Sequence, residues 1–231
     1  MPLPSRMPKH AVMHVLYLHG FASSPSSSKS RFFAERLAMH GLTLHCPDFN
    51  EPDFSTLTVT RMLTQTEAAV RSLAPDRIVL IGSSLGAFVA WHAAARLHAD
   101  PSRPVDRLVL LAPALDFGWN RLGLTDAEMR EWERTGWREV LHFARGEPSR
   151  IHFEIYRDAS RYDASAVDPC VPTLVFQGQR DELVDASMVA RFARTHAPNV
   201  TLHLLDDGHQ LLGHLELMWR ETSRFLGLDA R

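Results

Sequence analysis

The stretch Arg77-Ile78-Val79-Leu80-Ile81-Gly82-Ser83-Ser84-Leu85-Gly86-Ala87-Phe88 decides the reading of this chain. Its first part is a short apolar run that predicts a buried strand, and the Ala-rich run from Ala87 to Leu97 predicts a helix. The turn between them is a G-x-S-x-G centred on Ser84. Glycines at both ends let strand and helix approach closely, and the centre residue is forced into a strained conformation that pushes its oxygen out at the sheet edge. Ser83 does not qualify as the centre, because position 81 would then have to be glycine and it is isoleucine. The helix that starts just after Ser84 also favours negative charge developing at its N-terminus. A glycine-rich turn without chemistry is the plain alternative; the strand and helix flanks favour a nucleophile.

Working outward, similar apolar runs occur at 12–18, 42–46, 108–111, 173–176 and 200–205. Their apolar residues are successive rather than alternating, as in parallel strands covered on both faces. Helix-period segments separate them at 29–40, 58–73, 187–196 and 211–226. The alternation predicts an α/β fold with crossover connections. It breaks once, over residues 116–168, where Thr125-Asp126-Ala127-Glu128 reads as a capping box opening a helix through Arg134. Trp119, Trp132 and Trp137 fall in this interval. A single domain over 1–231 is expected, with 116–168 as a helical, aromatic cap insertion over a site.

Serine is a poor nucleophile at neutral pH unless a neighbouring base removes its proton. Among 13 histidines, His209 is best placed: it follows the run Val200–Leu205 in the loop Asp206-Asp207-Gly208-His209. His203 lies inside a predicted strand, His92 and His98 on the helix after Ser84, and His214 further into the last helical segment. The group that orients the imidazole is expected in Gln177-Gly178-Gln179-Arg180-Asp181-Glu182, and Asp181 sits just past a strand end. Asp116 is the runner-up, Glu182 a weaker choice, and Asp206 and Asp207 lie too close to His209 along the chain. Two backbone amides should face the acyl oxygen. Leu85, directly after the nucleophile, supplies one, and Phe21, in the loop after the first strand, supplies the other.

Composition excludes several classes. The chain has 231 residues, 45% of them hydrophobic, and a formal net charge of −2. That is enough apolar material for a sizeable core, and there is no concentration of basic charge of the kind that nucleic acid or an anionic membrane would require. No apolar run approaches the ~20 residues of a membrane span. The N-terminal ten residues read as a frayed tail and not as a secretion signal. Two cysteines, Cys46 and Cys170, make no disulfide framework. Both are expected to be buried, inert thiols, and a cytoplasmic setting follows. No phosphate-binding, dinucleotide-binding or zinc-protease motif occurs, so neither a cofactor nor a metal is expected.

Over nearly its whole length the chain resembles the α/β-hydrolase superfamily. The stretches YLHGFASSPSSSKS (17–30) and GSSLGAF (82–88), with the acid loop and the following G-x-His loop, are similar to small bacterial esterases of the YqiA type, the UPF0227 family. The resemblance implies Ser84 as nucleophile, Asp181 as acid, His209 as base, and the Phe21 and Leu85 amides as the oxyanion hole. A serine at position 84 disfavours dehalogenase, epoxide hydrolase and dienelactone hydrolase chemistry. The expected activity is hydrolysis of a small-molecule carboxylic ester through an acyl-enzyme. A thioesterase or a C–C bond hydrolase with the same triad is the alternative, and a binding module that retains the fold is a third reading. Residues 116–168 look longer and more aromatic than the corresponding region of the family, and the three tryptophans there are expected to line the substrate pocket.

Overall fold

The computed structural model describes residues 12–98, 105–119 and 123–228. The expected frayed tail lies outside them. Six strands form one sheet: β1 (Met13–Leu18), β2 (Leu44–His45), β3 (Arg77–Ser83), β4 (Val105–Leu111), β7 (Thr173–Gly178) and β8 (Val200–Leu205). Their spatial order is β2-β1-β3-β4-β7-β8, and every neighbouring pair is parallel. The chain steps from β1 outward to β2 and then returns to the other side of β1 as β3. The strand order therefore switches between β1 and β3, which is where open α/β sheets leave a crevice at their carboxyl ends.

Alternate residues of the strands feed two cores. Val15, Tyr17, Val79, Ile81, Val109 and Phe176 pack on one face with Phe33 and Leu37 of α1 (Ser28–Ala38) and Met218 and Leu226 of α7 (Leu215–Leu226). Leu16, Leu18, Leu80, Leu110 and Val175 face the opposite core. There they meet α2 (Val59–Ser72), α3 (Leu85–His98) and α6 (Ala186–Thr195). Helix α3 is apolar nearly all round because it is buried nearly all round, between the sheet and α2. Its Trp91 is 1% exposed and donates from Nε1 to the Ala164 carbonyl at 3.0 Å. Helix starts are capped as their sequences dictate: Ser27, Thr58 and Asp185 each accept a backbone N–H of the first turn.

The interval 116–168 is not purely helical. The capping box is formed at α4 (Asp126–Thr135), with Thr125 and Glu128 bonded reciprocally, and a short α5 spans Glu154–Ala159. Between them lies an antiparallel hairpin of β5 (Trp137–His142) and β6 (Glu147–His152), which the helical expectation missed. These strands are polar and stand apart from the main sheet, so they lack the apolar runs that betray the parallel strands. Trp132 joins the larger apolar core here, edge-on to Phe153 and donating from Nε1 to the Ile151 carbonyl at 3.3 Å. A buried Asp158 anchors the insertion to the body by accepting from the Thr60 amide at 2.7 Å and the Thr60 hydroxyl at 2.6 Å.

Trp132 thus fills a core, and Trp132→Ala is expected to destabilise the protein by about 3–5 kcal/mol. A urea titration measures this as a lowered midpoint.

Candidate active site

Ser84 carries a backbone φ of +54°, in the left-handed region that side chains rarely adopt. Holding it there costs on the order of 1–3 kcal/mol, so the surroundings must over-determine it. They do so with main-chain bonds: the Ser84 amide donates to Leu111 of β4 at 2.9 Å, and its carbonyl accepts from Ala87 at 2.9 Å and Ala114 at 3.3 Å. The flanking glycines are sterically required. A Cβ at Gly86 would lie 2.0 Å from the Leu18 carbonyl oxygen, and one at Gly82 would lie 2.5 Å from the Gly86 carbonyl oxygen. Contact of this kind with backbone cannot relax cheaply, and it is this contact that keeps the turn sharp.

The hydroxyl so presented meets an imidazole. His209 Nε2 lies 3.1 Å from Ser84 Oγ, and His209 Nδ1 lies 2.9 and 3.0 Å from the two oxygens of Asp181. The histidine side chain is 8% exposed and the aspartate side chain 0%. Burial disfavours the Asp181 carboxylate, yet its titration is held below the ordinary value. The His209 ring and the backbone amides of Val184 and Leu183 outweigh burial, the amides donating to Oδ1 at 2.9 Å each. Gln177, fully buried in β7, adds a bond from Nε2 to Oδ2 at 2.9 Å. The loops bearing Asp181 and His209 are stitched together: Gln179 N donates to Leu205 at 2.8 Å and Arg180 N to Asp207 at 3.0 Å.

The rival candidates have other partners. The Asp207 carboxylate accepts from Gly208, Gly213 and His214, folding the loop that carries His209. His203 packs on Phe176, and His92 sits between Phe88 and Tyr162. Asp206 pairs with Arg180, and neither Asp116 nor Glu182 bonds to His209.

Leu85 opens α3, and first-turn amides of a helix are without intrahelical acceptors. Phe21 lies on the loop after β1, which lines the same cavity as Ser84. That loop is set by His19, which the sequence marks only as part of the YLHGFASSPSSSKS stretch. His19 is 2% exposed; its Nδ1 donates to the Gly20 carbonyl at 2.9 Å and its Nε2 accepts the Phe49 amide at 3.0 Å. Burial pushes this imidazole below its ordinary value, against the Gly20 carbonyl and the Asp48 carboxylate. The neutral ring, with one donor and one acceptor, fits both bonds. No spacing in the sequence marks this role, because both hydrogen bonds of the ring are to main-chain groups.

A cavity of about 410 Å³ lies over Ser84 and His209. None of the three tryptophans expected to line it does so. Trp119 is 63% exposed, Trp132 is core, and Trp137 lies against His152 and Arg150. The insertion contributes instead through the tip of its hairpin, where Phe143 and Ala144 line the cavity. The Ala144 amide donates to the Ala22 carbonyl at 3.2 Å, tying this tip to the Phe21 loop. Cys170, expected to be buried, is exposed, whereas Cys46 is half-buried with its thiol pushed up by burial. Among the described residues no group of three or more His, Cys, Asp or Glu side chains is placed to hold a metal ion, and no helix is long and apolar enough to cross a membrane.

The sheet, its strand order and the sharp turn at Ser84 define an α/β-hydrolase fold. The chain belongs to the uncharacterised protein family UPF0227, whose model matches residues 14–221. Solved structures share the architecture at low identity. Est1E from Butyrivibrio proteoclasticus, with ferulic acid bound, is 21% identical with a TM-score of 0.79, over 97% of this chain and 92% of that one. Alpha/beta hydrolase domain-containing protein 10 from mouse is 19% identical with a TM-score of 0.75, over 97% and 92%. The Pyrococcus furiosus esterase PF2001 is 19% identical with a TM-score of 0.63, over 94% and 82%. No curated protein matches the sequence.

The depressed Asp181 titration has a consequence for stability. An acid held below its unfolded value, here near 3.8, stabilises the fold above that pH, and the contribution is lost as pH falls through the lower folded value. The stability gap between the parent protein and Asp181→Asn should therefore narrow between about pH 5 and pH 2. Urea midpoints of the two proteins across that range measure it.

Proposed function

We propose that the protein is a cofactor-free serine hydrolase of carboxylic esters. The observation that carries this reading is the unbroken hydrogen-bond chain from Ser84 Oγ through His209 to Asp181. Ser84 attacks the acyl carbon as His209 Nε2 takes its proton, and Asp181 holds the ring in the required tautomer and stabilises its positive charge. The Leu85 and Phe21 amides receive the oxygen on which negative charge develops. His209 then protonates the departing alcohol, and water, activated by the same imidazole, hydrolyses the acyl-enzyme.

The name of one structural neighbour, the Pyrococcus furiosus esterase PF2001, supports an ester over other acyl derivatives. The two cysteines, neither in a disulfide, agree with a cytoplasmic setting. Hydrolysis of a thioester needs the same groups and differs in its leaving atom. Turnover of matched oxygen and sulfur esters separates the two. A binding module has no use for a serine strained into reach of an imidazole.

Ser84→Ala is expected to lower kcat on a short-chain aryl ester by on the order of 10⁶-fold. It should also abolish labelling by a fluorophosphonate probe. Activity within tenfold of the parent, or undiminished labelling, would refute the role of Ser84.

A further inference from the structure

One wall of the cavity is built by residues 23–31. Ser23, Ser24, Ser27, Lys29 and Arg31 line it, and no aspartate or glutamate does. Lys29 is 7% exposed and points from the first turn of α1 toward the loop after His209. Its Nζ donates to the Gln210 carbonyl at 2.9 Å, one bond for a group with three donors. Among the described residues, neither Lys29 nor Arg31 forms an ion pair. Burial pushes the Lys29 ammonium down to about 8, against the pull of Asp181 and Asp207. Both of those carboxylates are already engaged, Asp181 with His209 and Asp207 with His214. A buried cation is normally paired, since taking it out of water is costly. Here it lacks a partner of opposite charge and lines the space over the proposed nucleophile.

We infer that the cavity selects esters bearing an anionic group, which Lys29 holds from within and Arg31 from the rim. This rests on the ester-hydrolase reading and names the chemistry of its substrate. The anion could belong to either side of the scissile bond. The serine hydroxyls beside Lys29 supply further donors to its oxygens. Phe143, Leu183 and Leu212, all exposed at the cavity, offer apolar surface to the uncharged remainder. The competing account is that Lys29 merely tethers the His209 loop through Gln210. The two accounts differ in what happens to selectivity.

Three esters test it: phenyl butyrate as the neutral reference, phenyl hydrogen succinate with the carboxylate on the acyl side, and 4-carboxyphenyl butyrate with it on the alcohol side. The readout is the ratio of kcat/KM for each anionic ester to that for the neutral one, compared between parent and variant so that intrinsic reactivity cancels. Lys29→Met should lower this ratio by about tenfold or more in one arm, and that arm identifies the side carrying the anion. Lys29→Arg should keep most of the preference. Arg31→Ala, at an exposed position, should lower the same ratio about threefold and decides the matter if Lys29→Met does not fold. Ratios unchanged in both arms, with all esters falling together, would overturn the inference and leave Lys29 a tether. If the parent turns over none of the three esters, the hydrolase reading fails and the inference with it.

Discussion

A serine that must sit at φ +54° cannot hold that conformation by itself. It depends on β3 being clamped between β1 and β4, because the Ser84 amide is bonded to Leu111 at the end of β4 and Gly86 rests on the Leu18 carbonyl at the end of β1. Parallel pairing brings the carboxyl ends of all three strands to one edge. The same edge receives Gly178 at the end of β7 and Leu205 at the end of β8, from which the loops carrying Asp181 and His209 spring. The convergence of Ser84, Asp181 and His209, 125 residues apart at the widest, is thus a property of a sheet in which every strand points the same way.

That explains which parts were legible in the sequence. Successive Val, Ile and Leu marked the parallel strands because both faces of the sheet are buried. The G-x-S-x-G marked the turn because backbone contact excludes any side chain at Gly82 and Gly86. His209 and Asp181 could be singled out because each lies just past a strand end. The hairpin at 137–152 was not legible, since a polar two-stranded ribbon off the main sheet has neither period nor apolar run. The tryptophans misled for a related reason: aromatic side chains serve equally as core and as pocket lining, and only packing decides. Trp132 found Phe153; Trp119 found solvent. The roles of His19 and Lys29 were not legible because what matters about them is a main-chain group far away along the chain, the Phe49 amide in one case and the Gln210 carbonyl in the other. No local pattern encodes such contacts.

Electrostatically the site is asymmetric. At Asp181, negative charge is buried and fully bonded: the carboxylate accepts from two amides, an amide side chain and an imidazole. At Lys29, positive charge is buried and underbonded. The two carboxylates nearest in effect to Lys29 raise its basicity, without pairing with it. A protein of net charge −2 thus holds a buried cation without a direct ion-pair partner next to its proposed reaction centre, and burial strengthens its interaction with any anion that reaches it.

The bond from Ala144 to the Ala22 carbonyl joins two regions that are built differently. The loop after β1 is tied to the elbow, since a Cβ at Gly20 would meet the Ser83 carbonyl oxygen at 3.0 Å. The ribbon shares the apolar core on one face of the sheet and reaches the cavity by its tip, at Phe143 and Ala144. A change in the length or facing of that tip would reshape the mouth of the cavity while leaving all six parallel strands as they are.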